Sequence, residues 1–97
     1  MGEIRFTWDA RKAAANLRKD GVSFDEARSV FLDENAKLID DPDHSKDEAR
    51  FILLGLSHKL RLLVVCHTYR HGDEEIRIIS ARKANAIERT EYAEGRP

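Results

Sequence analysis

Two apolar runs of strand length each end in a cluster of cationic and imidazole side chains, and these clusters are where the chain can do chemistry. Residues 62–66 (LLVVC) lead into His67, Thr68, Tyr69, Arg70 and His71, and residues 76–79 (IRII) lead into Ser80, Arg82 and Lys83. Cleaving an RNA phosphodiester without a metal needs a group to accept the 2′-hydroxyl proton and another to protonate the leaving 5′-oxygen. It also needs cations for the charge that builds on the phosphorus oxygens. His67, with an ordinary pKa of about 6.5, suits acid or base work at neutral pH. Arg70, Arg77 and Arg82 carry forked donors that match phosphate oxygens, while Lys83 acts as a point charge or, desolvated beside them, as a proton donor. Tyr69 or Trp8 offers a ring on which a base can stack.

The same residues have structural readings. Arginines on the exposed side of a half-buried strand, Arg61 and Arg77 among them, are commonly solvated or paired. His67 continues an apolar run and can be a core histidine bonded to backbone, and Trp8 can staple the first helix. Other chemistries fit less well. Alternation along a strand points Cys66 and His67 to opposite faces, so they do not form a zinc site. The acidic residues Asp40, Asp41, Asp43 and Asp47 lack the glycine and terminal glutamate of a calcium loop. There is no glycine-rich phosphate loop, and Ser80 lacks the glycines of a nucleophile elbow. No cofactor is called for.

The elements that must position these groups belong to a chain of 97 residues, which predicts one domain spanning residues 1–97. With 41% hydrophobic and 36% charged residues it is apolar enough for a core and charged enough for solubility. Cys66 is the only cysteine, which excludes an internal disulfide and suits a reducing compartment. The N-terminus lacks a secretion signal and no stretch approaches a membrane span, so the expected location is the cytoplasm, without membrane contact. Net charge is −1, but it is unevenly distributed. Residues 33–48 carry seven acids against two lysines, and residues 57–89 carry seven lysines and arginines against four acids. An anionic ligand is therefore expected on one side only.

Residues 4–8 alternate and predict a short edge strand, after which Asp9 caps a helix to about Lys19 that ends at Asp20 and Gly21. Ser23 and Glu26 have capping-box spacing, predicting a second helix from Phe24 to about Leu32 with Phe24, Ala27 and Phe31 on its buried face. Four strand-length runs follow, residues 36–40, 50–56, 62–69 and 75–80, which predict an antiparallel meander with the third run central. A last helix is expected over residues 83–94, ending at Gly95. The fold class is α+β, with an N-terminal helical hairpin packed on an antiparallel sheet of about four strands and a C-terminal helix.

The motifs F-x-W-D-x-x-K-x-x-x-N (Phe6, Trp8, Asp9, Lys12, Asn16) and G-V-S-F with Ala27, Val30 and Phe31 resemble the BrnT toxins of bacterial type II toxin–antitoxin systems. So do D-D-P-D-H-S at Asp40 to Ser45, Glu48 and Arg50, Gly55, H-T-x-R at His67 to Arg70, and R-I-I-S-A-R-K at Arg77 to Lys83. The resemblance implies a RelE-like fold and a ribonuclease that inhibits translation when free of its antitoxin. It implies as partner BrnA, a ribbon-helix-helix protein that blocks the toxin and represses the shared operon, so that DNA is reached only indirectly. It carries over His67, Arg70, Arg77, Arg82 and Lys83 as catalytic candidates and Lys12, Asn16 and Ser80 as RNA-binding candidates, to which Tyr69 is added for its ring. Lys12 and Asn16 lie one helical turn apart; Asp20 stands where the family commonly has a histidine. The competing expectation is a non-catalytic module that serves as co-repressor partner of a DNA-binding antitoxin. Direct DNA binding has no support, because neither helix has a basic recognition face.

Overall fold

The computed structural model describes residues 3–40 and 49–95. From residue 41 on, the expected acidic turn lies outside the described residues. Strand β1 (Arg5–Thr7) is followed by helices α1 (Ala10–Asp20) and α2 (Phe24–Ser29), the latter tightening into a 3₁₀ turn at Val30–Leu32. Strands β2 (Lys37–Asp40), β3 (Phe51–Leu56), β4 (Leu62–Arg70) and β5 (Glu75–Lys83) come next, and helix α3 (Ala86–Glu94) closes the chain. The expected meander is present, but the sheet is five-stranded and mixed, in the order β1-β5-β4-β3-β2. β1 pairs in parallel with β5, placing Thr7 beside Arg77. A parallel neighbour is possible because the α1–α2 hairpin and the three meander strands form the long crossover it requires.

Local chemistry sets the element ends. Asp9 accepts from the amides of Arg11 and Lys12 and starts α1. Gly21 ends it in the left-handed conformation (φ 69°), its amide donating to the Leu17 carbonyl. The Ser23 hydroxyl receives the Glu26 amide and starts α2. The final helix begins three residues later than expected: Asn85 and Glu88 form a reciprocal capping box, and Lys83 is the last residue of β5.

The first five residues of β4 (62–66) are all apolar because both faces of the strand are covered there. Leu63 and Val65 join Leu53, Ile78 and Ala81 in a core closed by Val22, Phe24, Ala27 and Val30 of the helical layer. Leu62 and Val64 face the other way, into a smaller cluster with Leu54, Ala84 and Tyr92 of α3. Two polar clamps tie the layers. β1 is only three residues long, so β5 beyond Arg77 has no strand on that side, and the Asn16 carboxamide takes its place. It donates to the Ala81 carbonyl (2.8 Å) and the Val22 carbonyl (2.9 Å) and accepts from the Ala81 amide (3.1 Å). Glu26, 1% exposed, receives the Ser57 hydroxyl at 2.7 Å and the Arg61 guanidinium through both its oxygens. Arg61 is thus internally paired, and it also donates to the Gly21 carbonyl.

Asn16→Ala strips partners from three buried backbone groups and should cost about 2–4 kcal/mol, read as a lower urea midpoint at unchanged slope. Arg61, then Ser57, holds the Glu26 carboxyl below its ordinary 4.5 against the opposing effect of burial. A lowered folded pKa contributes stability that is fully present above about pH 4.5 and is lost as pH falls through the folded value. Urea unfolding followed from pH 7 to pH 3 should show that acid loss in the parent and a reduced loss in Glu26→Gln.

Candidate phosphate-binding site

β5 would bury Arg77 if it were regular. Ile78 and Ala81 both enter the core although they are three residues apart, which strict alternation forbids. A bulge resolves this: Cys66 pairs with Ser80 and His67 pairs with Ile78, so Ile79 is an extra residue with no partner on β4. The bulge shifts the phase of the strand. Ile76 and Ile78 are buried, and Arg77 between them turns away from the core and stays half-exposed.

Arg77, Ile78 and Ile79 line a hollow of about 110 Å³ together with Asp9, Lys12, Arg50 and Arg70. Each cation arrives from a different stretch. The parallel pairing of β1 with β5 sets Thr7 opposite Arg77, so the chain leaving β1 brings Asp9 and the first turn of α1 to the same place. Arg70 is the last residue of β4, and Thr68, two residues before it, pairs with Arg77. Arg50 directly precedes β3. There the Thr68 hydroxyl, 2% exposed, donates to the Ala49 carbonyl at 2.7 Å and fixes the backbone ahead of the arginine. The Arg50 Nε is buried and has no hydrogen-bond acceptor among the described residues.

The hollow has one acidic side chain. Its Asp9 carboxyl lies below the usual 3.8, chiefly through the amides of Lys12 and Arg11, with Lys12 and Arg77 adding to the effect by charge. It is an exposed carboxylate that uses Oδ1 to cap the helix.

The sequence candidates divide into two groups. Lys12, Arg70 and Arg77 converge in the hollow. His67 does not: at 0% exposure it is a core residue, its Nδ1 3.1 Å from the Val65 carbonyl and its Nε2 3.3 Å from the Tyr69 hydroxyl. Its ring packs edge-on against Phe31, and burial lowers its pKa, so it is neutral and enclosed at pH 7. Tyr69 is half-buried in the same aromatic group, 5.3 Å from Phe51. Asn16 is the buried clamp described above. Arg82 is neutralised by a bidentate pair with Glu88 of α3 (2.8 and 2.7 Å), which raises the arginine's pKa and lowers the glutamate's. Ser80 and Lys83 are exposed further along β5, outside the hollow. Trp8 packs against Phe24 at 6.0 Å.

Asp9 and Arg50 were not among the expected site residues. Asp9 reads as a helix cap, which it also is, and Arg50 stands out only as part of a short motif. A larger hollow of about 450 Å³ lies elsewhere, lined by Phe6, Phe31 and Leu32. Its one arginine, Arg28, is paired with Asp25, so it offers no comparable group of cations.

An α+β chain that gathers four cationic side chains at the end of its sheet has the makings of a protein acting on a phosphodiester. Comparison narrows this. The family model of the ribonuclease toxin BrnT of type II toxin–antitoxin systems matches residues 8–88, and the chain belongs to that family. It is thereby a ribonuclease toxin whose system includes an antitoxin. Among solved structures, the 1.1 Å crystal structure of the Brucella abortus ribonuclease toxin BrnT is similar, with a TM-score of 0.63 and 24% identity. The match covers 84% of this chain and 97% of that one, and at such identity it bears on the fold. No protein of curated function matches.

Thr68→Val keeps the shape of the side chain and removes the hydroxyl that anchors Ala49. Ribonuclease activity should fall several-fold for the loss of about 1 kcal/mol of positioning, while Thr68→Ser, which keeps the hydroxyl, should stay near the parent. Equal activity of the valine and serine variants would show that Arg50 does not depend on this anchor.

Proposed function

We propose that the chain is a metal-independent endoribonuclease in which Lys12, Arg50, Arg70 and Arg77 hold the scissile phosphate while the RNA's own 2′-hydroxyl attacks it. One observation carries this reading: four cationic side chains from four separate stretches line one small hollow. Preorganised cations aimed at a phosphoryl group stabilise the charge that develops in the transition state, the work a bound metal does elsewhere. Arginine suits the task because its fork matches phosphate oxygens and never loses its proton. Burial of the Arg50 Nε without an acceptor among the described residues supports the reading further, since a bound phosphate oxygen would satisfy it.

Family membership supports an antitoxin as partner; in the proposed reading it is a BrnA-like ribbon-helix-helix protein, through which alone the complex reaches DNA. RNA is the substrate and the cytoplasm the place of action. In keeping with this, no helix among the described residues is long and apolar enough to cross a membrane.

Expression with and without the neighbouring antitoxin gene, followed by mapping of RNA ends and cleavage by purified protein in EDTA, tests the proposal. Growth arrest and RNA fragments are expected only without the antitoxin. Arg77→Ala and Arg50→Ala should each remove about 2–4 kcal/mol of transition-state stabilisation, a loss of roughly 30- to 1,000-fold in kcat/KM, while remaining folded. Arg82→Ala, which breaks the pair with Glu88, should cost stability more than activity. Unimpaired growth and intact RNA would instead favour the non-catalytic co-repressor reading.

A further inference from the structure

We propose that Asp9 and Lys12 are the general base and general acid of the cleavage, a proton-transfer pair carried on the first turn of α1. The inference rests on the reading that the cationic hollow holds the scissile phosphate, and it assigns the step that the cations alone cannot perform. Arginine side chains do not give up a proton in a protein, so Arg50, Arg70 and Arg77 bind and stabilise but do not transfer. The imidazole expected to do so, His67, is fully enclosed by the core. Among the described residues, two titratable side chains remain on the wall of the hollow, one carboxylate and one ammonium.

The cap geometry leaves Asp9 free for this work. Both helix amides go to Oδ1, at 2.8 Å from Arg11 and 3.1 Å from Lys12, and Oδ2 has no hydrogen-bond donor among the described residues. Capping holds the carboxylate in place, because Oδ1 accepts from two backbone donors. Lys12 shares that turn, and its ammonium interacts with the Asp9 charge. With the phosphate held by the arginines, Asp9 Oδ2 accepts the 2′-hydroxyl proton as O2′ bonds to phosphorus. The P–O5′ bond breaks, and the Lys12 ammonium gives its proton to O5′. The products are a 2′,3′-cyclic phosphate and a 5′-hydroxyl, and the protonated Asp9 and neutral Lys12 exchange protons with water to reset the pair.

Asparagine caps a helix as well as aspartate does, so Asp9→Asn keeps the fold and removes the base. On a short RNA spanning a mapped cleavage site, its kcat should fall by about 100-fold or more. Its KM should be no higher, because an anion has been taken out of a cationic site. Should the asparagine variant lose helical structure, Asp9→Ser, another good cap, is read in the same way. A second substrate separates base from acid: in RNA with sulfur in place of the bridging 5′-oxygen the leaving group departs as a thiolate, whose conjugate thiol has a pKa of about 8.5, and needs no protonation. Lys12→Met should recover most of its loss on that substrate, and Asp9→Asn should remain slow on both. A kcat for Asp9→Asn within about threefold of the parent overturns the base, since general catalysis is worth about 10²- to 10⁴-fold. A Lys12→Met variant equally slow on both substrates overturns the acid. A parent that cleaves beside a fully active Asp9→Asn overturns this pair alone, whereas a parent that leaves RNA intact overturns the nuclease reading and the pair with it.

Discussion

The arrangement depends on a change of phase in one strand. β5 serves two masters: Ile76, Ile78 and Ala81 must enter the layer beneath the helices, and Arg77 must stay out of it. A regular strand cannot do both, because Arg77 and Ala81 are an even number of residues apart and would share a face. The extra residue Ile79 at the bulge changes the parity between them. Without it, either a guanidinium would enter an apolar core, at a desolvation cost of several kcal/mol, or Ala81 would leave the core and with it the backbone that Asn16 clamps.

Once Arg77 is turned out, the rest of the site follows from topology. Parallel pairing of β1 with β5 delivers the capped start of α1 to Arg77. Antiparallel pairing of β4 with β5 delivers Arg70, and the Thr68 anchor delivers Arg50 from the neighbouring strand. The site is thus assembled from the ends of rigid elements, which is what holding a phosphate within a few tenths of an ångström requires. Binding and folding make opposite use of charge here. Glu26–Arg61 and Glu88–Arg82 join layers and Thr7–Glu75–Arg5 ties β1 to β5, while among the described residues the hollow is lined by four cations and one carboxylate.

How much of this was legible in the sequence depended on whether the signal was local. Caps and alternation are local: Asp9, Ser23 and the apolar run of β4 were read from their neighbours alone, and the helical hairpin and meander came out in place. Partnerships over long sequence separations were not legible. His67 looked like a strand-end histidine because it follows an apolar run. The bulge beside it and the rings of Phe31 and Phe51, from distant elements, make it a core residue. Arg82 looked equivalent to Arg77, but Glu88, one capped turn into α3, reaches back to neutralise it. The final helix was expected three residues too early for the same reason, since Lys83 still pairs with Leu63 and the Asn85 cap starts the helix only after the strand ends. Asp9 hid in plain view, because the helix cap is a complete explanation of an aspartate until the pairing of β1 shows which residues stand around it.

The contrast between Arg50 and Arg61 shows where this chain departs from what is best for folding. Both arginines lie at a strand start and are half-buried. Arg61 satisfies its Nε on Glu26 at 2.9 Å, and its Nη2 donates to the same carboxylate and to the Gly21 carbonyl. Arg50 has its Nε buried with no acceptor among the described residues, a state that costs about 1–3 kcal/mol relative to a satisfied donor. A strand that needed only to fold would be better served there by an apolar residue or by a nearby acid. Instead the backbone is anchored at Ala49 through a buried threonine, and the guanidinium is held at the wall of a hollow that already contains two other arginines and a lysine. Like charges gathered at a fixed place repel one another, and an anion relieves both the repulsion and the orphaned donor in one step. On the proposed reading that deficit becomes part of the affinity for phosphate, and it is lodged in side chains whose backbones the sheet keeps from moving apart.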